Sequence, residues 1–202
     1  MNNLTSASPP RNGDGCEGSA ISPEHVAYLG QRAVPVEVAI RAGLRSVDSL
    51  EAAELLRRSE CPSGGLAIPY EGEDGARRYW RVRLDYEGPK WLAPAGEEVP
   101  VWVPPGFRHA AGERLVVVEG PVKALALHAA GFPCIGLSGT GTTLTDDRAL
   151  NSSWSRLSLA GAEVILMFDN DRKSNPNVMR DEARLGVALK AAGARVLLAR
   201  LP

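Results

Sequence analysis

The sequence predicts an α/β protein in which a parallel sheet flanked by helices follows a smaller α+β unit that contains a β-meander. Over residues 64–103, apolar and polar residues alternate and turn dipeptides interrupt the runs, which is typical of short antiparallel strands. Beyond residue 112, continuous apolar runs alternate with helical patterns. Such alternation favours a parallel sheet that is covered on both faces.

The composition is that of a globular chain able to bury a core. Of its 202 residues, 44% are hydrophobic and 23% are charged, so no disulfide or metal staple is required. No run approaches the roughly 18 to 20 apolar residues of a membrane span, and no signal peptide pattern is present, which predicts a cytoplasmic protein without a membrane partner. The three cysteines lack the short spacings of zinc or iron–sulfur sites. Because the net charge is −1, any contact with nucleic acid would have to come from a local patch or a metal.

The first 106 residues are predicted to form a tail and one small domain. Residues 1–20 are rich in Ser, Pro, Asn and Gly, and we expect them to be a disordered tail. In the domain at residues 21–106, Ser22 is an N-cap signal followed by proline and glutamate, and Pro35 opens a second helix that carries Leu44. Asp48 begins a third helix. The meander then follows.

One predicted strand of the meander, residues 77–84, has a basic and aromatic face. Because side chains alternate along a strand, this face carries Arg77, Tyr79, Arg81 and Arg83. Arginines around a tyrosine could hold phosphates and stack a base, as in proteins that bind single strands. The alternative is an ordinary solvated strand face.

The sequence Pro104-Pro105-Gly106 indicates a hinge, and the second domain is predicted at residues 107–202. Its predicted strands cover residues 115–118, 134–137, 164–168 and 195–199, and its predicted helices cover 122–130 and 178–192.

Acidic residues follow two of these strands directly. Glu119 comes after the first strand, and Asp169 and Asp171 come after the third. Ligands of open parallel sheets collect at the carboxyl ends of the strands, so these side chains are predicted to share one site. Crowded carboxylates repel one another, and a hard divalent cation is the simplest neutraliser. We therefore predict a Mg²⁺ site, with Mn²⁺ as the substitute ion.

Further candidate residues surround these acids. Lys123 is placed to reach a substrate phosphate or to pair with Glu119. A loop after the second strand is able to present backbone amides and hydroxyls to a phosphate; its residues are Gly139, Thr140, Gly141 and Thr142. This loop matches neither a dinucleotide fingerprint nor a P-loop. Arg172 and Lys173 would hold a nucleic-acid backbone, temper the acids, or form a solvated loop.

The strand followed by Glu119-Gly120, the helix with Lys123, and the strand followed by Asp169-Asn170-Asp171 resemble the signature of the TOPRIM domain. That domain is shared by bacterial-type primases, type IA and II topoisomerases and certain nucleases. The resemblance covers residues 113–202, and the glycine- and threonine-rich loop is similar to one in primases. Two features depart from the family pattern. Lys123 stands where primases commonly have aspartate, and no further acid closely follows Asp171, for which Asp181 is the candidate substitute.

The resemblance implies a catalytic set of Glu119, Asp169, Asp171 and Lys123 in a metal-dependent nucleic-acid enzyme. The chain also resembles uncharacterised TOPRIM proteins of plasmids and phages, which are often joined to a helicase. That implies primase-like nucleotidyl transfer in replication of a mobile element, with single-stranded DNA as substrate and a helicase or polymerase as partner. Two alternatives stay open: a TOPRIM nuclease that hydrolyses DNA or RNA, and a non-catalytic module that binds nucleic acid or a helicase. A topoisomerase is excluded because the chain is too short for its gate domain.

Overall fold

A computed structural model of the chain describes residues 21–72, 74–88, 90–139, 141–169 and 176–199, so the predicted tail at 1–20 lies outside the described residues. The helices are α1 (Pro23–Gly30), α2 (Val36–Arg41), α3 (Ser49–Leu55), α4 (Pro121–Ala129) and α5 (Pro176–Ala191). The strands are β1 (Arg45–Val47), β2 (Gly65–Glu71), β3 (Arg77–Leu84), β4 (Trp91–Leu92), β5 (Arg114–Glu119), β6 (Cys134–Leu137), β7 (Glu163–Met167) and β8 (Arg195–Leu198). A 3₁₀ turn spans Ser152–Arg156.

The strands of the described residues form two four-stranded sheets. The first is antiparallel with the order β1-β2-β3-β4, and the second is parallel with the order β6-β5-β7-β8. The predicted fold class is therefore confirmed, including the antiparallel meander before the parallel sheet. β5 lies in the interior of the second sheet, which explains its continuous apolar sequence: residues 115–118 are all buried.

The N-terminal helices begin where the capping signals place them. Ser22 Oγ accepts the backbone N–H of His25 at 3.3 Å, and Asp48 Oδ1 accepts the N–H of Glu51 at 2.8 Å. The second helix was predicted to carry Leu44, but it ends at Arg41. That prediction is wrong because the chain turns through Gly43 at φ +79° and enters β1, which pairs antiparallel with β2.

The two sheets share one apolar core. Trp102 is the largest buried side chain in this core. It is 1% exposed and packs in a cluster that contains side chains of both sheets. Its indole Nε1 donates to the carbonyl oxygen of Pro69 at 3.0 Å, and its backbone pairs with Gly136 in β6. The division of the chain between residues 106 and 107 stays a prediction, and the packing is continuous across it.

The described residues contain no helix long and apolar enough to cross a membrane. Both cysteines in this part of the chain, Cys61 and Cys134, are free thiols. Cys134 is fully buried in β6, its Sγ donates to the carbonyl of Ala124 at 2.8 Å, and burial raises its pKa to about 12. Its thiol therefore stays neutral and serves packing.

A buried histidine ties three elements of the N-terminal unit together. His25 in α1 is 4% exposed; its Nδ1 lies 2.7 Å from Ser46 Oγ in β1, and its Nε2 lies 3.1 Å from Asp85 Oδ1 after β3. Ser46 Oγ also accepts the backbone N–H of Ser22 at 2.7 Å. These bonds fix the start of α1 against the antiparallel sheet.

Replacing His25 with leucine is expected to lower the free energy of unfolding by about 1–3 kcal/mol, because part-buried polar partners lose their hydrogen bonds. Urea denaturation measures the change. The same replacement at the half-buried His128 in α4 is the control, and equal losses for both variants would contradict the assignment of the cost to this network.

Candidate active-site cleft

A cleft of about 310 Å³ lies between the two sheets, at the carboxyl ends of β5, β6 and β7. The wall on the parallel sheet includes Glu119, Gly120, Lys123, Ser138, Gly139 and Asp169, and the opposite wall consists of Tyr28, Arg32, Arg81 and Trp91. One wall therefore carries the predicted acids, and the other carries arginines and aromatic rings from the N-terminal unit.

The parallel pairing of neighbouring strands brings the two acids to one edge. β5 pairs with β7 so that Val118 lies opposite Met167, and Glu119 and Asp169 follow within two residues. Asp169 follows the buried Phe168, and its own side chain is 43% exposed. The structure thus brings together two of the predicted acids at the edge where open parallel sheets bind their ligands.

Lys123 projects from the first turn of α4 into the same cleft. Its Nζ donates a hydrogen bond to Asp169 Oδ2, and its side chain is 48% exposed. The acid that it contacts thus follows β7, and the pairing with Glu119 stays a prediction. A pair this exposed contributes little to stability.

Two glycines shape the turn between β5 and α4. Gly120 adopts φ +94°, a conformation that favours glycine, and its N–H donates to the carbonyl of Leu137 at 2.6 Å. In β6, a Cβ added to Gly136 would lie 2.8 Å from the carbonyl oxygen of Gly120. The backbone therefore turns sharply after Glu119 and requires the residue facing it in β6 to be small.

The glycine- and threonine-rich loop lies between the cleft and α5. Gly139 lines the cleft at φ +129°, and Thr142 Oγ1 donates to the Gly139 carbonyl at 3.0 Å. A Cβ added to Gly141 would meet Asp181 Oδ2 at 3.0 Å. The Asp181 carboxylate also lies 3.4 Å from the guanidinium group of Arg184. Asp181 is not among the described residues that line the cleft, so the structure does not support it as the further acid of the site.

Several predicted residues cannot be placed. Asp171, Arg172, Lys173 and Thr140 lie outside the described residues. Within the described ranges, no group of three or more His, Cys, Asp or Glu side chains is gathered as a metal site. The donors in the cleft are the carboxylates of Glu119 and Asp169. Because Mg²⁺ is commonly held by one or two carboxylates together with water and phosphate oxygens, this donor set fits a magnesium ion.

The arginine wall is held in place by bonds across the cleft and by aromatic rings. Arg81 Nη1 donates to the carbonyl oxygen of Ser138 at 3.2 Å, and the Tyr70 hydroxyl forms a hydrogen bond with Ser138 Oγ. The guanidinium carbon of Arg81 lies 5.6 Å from the centre of the Trp91 ring. In the part of the chain that the structure describes, Arg81 pairs with no carboxylate, so its charge is available to an anion in the cleft.

A second aromatic contact positions Arg32, which follows the end of α1. The Tyr28 ring has the guanidinium carbon of Arg32 at 3.8 Å and that of Arg83 at 4.1 Å from its centre. Arg83 also lies 3.8 Å from Asp85. Tyr28, Arg32 and Trp91 were not predicted, because the first two lie far before β3 in the chain and no local pattern connects any of the three to the acids. The separation of four residues between Tyr28 in α1 and Arg32 just beyond its end was the available signal.

Three residues of the predicted basic face, Arg77, Tyr79 and Arg83, are not among the residues that line the cleft. Tyr79 is 8% exposed and packs edge-on against Tyr70, with ring centres 5.1 Å apart. Burial raises its pKa to about 12. The expectation that Tyr79 stacks a base is wrong, because its ring lies in the core shared by the sheets. Arg77 lies 3.4 Å from Glu71 and is absent from the cleft lining.

The fold is shared with primase catalytic cores. The Aquifex aeolicus primase, comprising zinc-binding and RNA polymerase domains, superposes with a TM-score of 0.63 at 18% identity, over 90% of this chain and 50% of that chain. The E. coli primase catalytic core gives a TM-score of 0.60 at 19% identity, over 90% and 67%. A DnaG primase catalytic domain bound to ssDNA gives 0.61 at 18% identity, over 89% and 64%. The chain thus spans half of the first of these structures, and identities this low show the fold alone.

At the level of sequence, the model of a family described as a domain of unknown function, DUF3854, matches residues 109–202. This segment contains the parallel sheet and both acids of the cleft. Among curated proteins, none matches the sequence.

Proposed function

We propose that this chain is a metal-dependent, primase-like enzyme that forms phosphodiester bonds on a single-stranded DNA template. The observation that carries the proposal is the cleft itself, in which carboxylates at parallel strand ends face a wall of arginines and aromatic rings. Nucleotidyl transfer needs negative charge that holds a metal and positive charge that holds phosphates. The wall on the parallel sheet supplies the carboxylates, and the opposite wall supplies the arginines. The likeness to primase cores supports the same assignment.

In this proposal Glu119 and Asp169 hold Mg²⁺ or Mn²⁺, with Asp171 as a further ligand. The ion would neutralise charge that develops on the transferred phosphate. Lys123 lies beside Asp169 and orients a phosphate oxygen towards that carboxylate edge. Gly139 borders the same space and limits how deeply the phosphate enters.

The opposite wall holds the template strand. Arg81 and Arg32 bind phosphates, and Trp91 and Tyr28 offer ring surface to bases, a combination used by proteins that bind single strands. The ssDNA in one of the similar primase structures supports this assignment. The proposal extends to a helicase or polymerase partner and to replication of a plasmid or phage.

Synthesis is tested by incubating the chain with Mg²⁺, a single-stranded template and labelled nucleotides. Labelled oligomers that depend on template and metal are the expected product. A parallel reaction contains end-labelled DNA without nucleotides. Cleavage of this DNA in the absence of synthesis would replace the proposal with a nuclease, and template binding without either reaction would replace it with a binding module.

The arginine wall makes a separate prediction about binding. Replacing Arg81 with glutamine is expected to weaken binding of a labelled oligonucleotide about fivefold, independently of its sequence, and to reduce the salt dependence of log Kd by about 0.7. Fluorescence anisotropy at several salt concentrations measures both. The matched control is Arg195→Gln, whose side chain is 73% exposed at the opposite edge of the parallel sheet. Equal effects of the two variants would show that binding is not located in the cleft.

A further inference from the structure

A second cavity of about 420 Å³ shares no lining residue with the cleft. It lies between the β2–β3 hairpin, the chain at residues 100–101 and the 3₁₀ turn, and its lining includes Tyr70, Tyr79, Ser152 and Arg156. Tyr70 connects the two spaces, because it lines this cavity while its hydroxyl bonds to Ser138 in the cleft. The cleft residue Arg81 is two positions from Tyr79 on the same face of β3, a distance of about 7 Å along the strand.

Arg156 supplies the unbalanced charge of this cavity. Its Nη1 donates to the backbone carbonyl of Glu71, and it pairs with no carboxylate in the described ranges. The other charged groups of the lining are neutralised, since Arg78 pairs with Asp74 and the Glu71 carboxylate lies 3.4 Å from Arg77. The cavity therefore carries a net positive charge at Arg156.

Hydroxyl groups lie on the same wall as this arginine. Ser152 is exposed at the start of the 3₁₀ turn, four residues before Arg156. Ser153 Oγ accepts the backbone N–H of Val101 at 2.9 Å, which holds the turn against the chain entering the parallel sheet. A guanidinium fork beside a serine hydroxyl is suited to phosphate oxygens, which accept several charge-assisted hydrogen bonds.

We propose that this cavity binds a phosphate of the nucleic-acid strand whose neighbouring phosphates occupy the cleft. The identity of the bound strand rests on the proposed function. The location of the site rests on the cavity and on Arg156. Every nucleotide of a single strand carries a phosphate, so a strand running along β3 past Arg81 presents its next phosphates to Arg156. The second site thereby fixes the register of the strand relative to the acids.

The test compares a twelve-nucleotide single strand with dTTP, both in EDTA so that no metal chemistry contributes. Arg156→Gln is expected to weaken binding of the oligonucleotide about fivefold and to lower the salt dependence of log Kd by about 0.7, while dTTP binding stays unchanged. Arg156→Lys keeps the charge and is expected to retain the salt dependence. Arg108→Gln, at an exposed arginine outside both cavities, is the matched control.

Ser152→Ala provides a milder variant in case Arg156→Gln loosens the 3₁₀ turn, which thermal melting would reveal. It is expected to weaken oligonucleotide binding about twofold without a change in melting temperature. Unchanged oligonucleotide affinity in both variants overturns the site. Equal weakening of dTTP and oligonucleotide shows that the phosphate of a free nucleotide binds there and overturns the strand assignment. If Arg156→Gln weakens oligonucleotide binding but the wild-type protein synthesises no primer, this inference stands and only the proposed function is rejected.

Discussion

Replacement of Asp169 by asparagine is expected to reduce template-dependent synthesis about 10²- to 10³-fold, the effect of removing one preorganised charge from a reaction centre. The change keeps the shape of the side chain and removes the charge that both Lys123 and a metal would contact. Glu119→Gln is expected to act similarly. Incorporation of labelled nucleotide measures both variants, and calorimetric titration with Mg²⁺ reports on the metal separately.

Glu163→Gln is the matched control for these acids. Glu163 lies at the start of β7, at the edge of the sheet opposite Asp169, and its carboxylate contacts Arg114 at 2.7 Å and Arg195 at 3.1 Å. Exposed ion pairs of this kind contribute little stability, so activity is expected to be unchanged. Full synthesis by Asp169→Asn would show that the cleft is not where the reaction takes place.

Replacement of Trp102 by alanine is expected to lower the free energy of unfolding by about 3–5 kcal/mol, as for other large aromatic side chains removed from a core. Trp102 is 1% exposed and packs with residues of both sheets. The substitution also leaves the Pro69 carbonyl without the indole N–H that bonds to it at 3.0 Å. Guanidinium chloride denaturation, followed by circular dichroism, measures the loss.

Trp102→Phe separates the two contributions. It keeps most of the ring and removes the hydrogen bond, so the expected loss is about 1–2 kcal/mol. Because the core is shared, unfolding of the wild-type protein and of both variants is expected to occur in a single transition. Two separate transitions in the wild-type protein would show that the sheets are independently folded domains, and the cleft between them would then depend on a movable interface.

The shared core bears directly on function, because the cleft has one wall on each sheet. Arg81 bonds to the Ser138 carbonyl, and Tyr70 bonds to the Ser138 hydroxyl, so the antiparallel sheet supports the loop that borders the acids. The two walls are consequently held at a fixed separation. Substitutions that loosen Trp102 are expected to weaken strand binding as well as stability.

Local patterns in the sequence were sufficient for most elements. Capping residues located α1 and α3, and the apolar run at residues 115–118 identified a strand of the parallel sheet. The failure at Leu44 has a physical cause: β1 has three residues, and it is held by pairing with β2, whose partner residues lie 18 to 22 positions ahead in the chain. Nothing within a three-residue segment distinguishes such a strand from the end of a helix.

The difference between local patterns and contacts of distant segments also decides what could be predicted about the site. The sequence by itself determined that Glu119 and Asp169 share an edge of the parallel sheet, since an acid directly after a buried parallel strand has few other positions available. Only the tertiary structure decided that Tyr28, Arg32 and Trp91 face those acids and that Tyr79 does not. Strand periodicity places a side chain on one face of a strand. What covers that face depends on contacts between distant segments of the chain, and these contacts form only when the two sheets pack together.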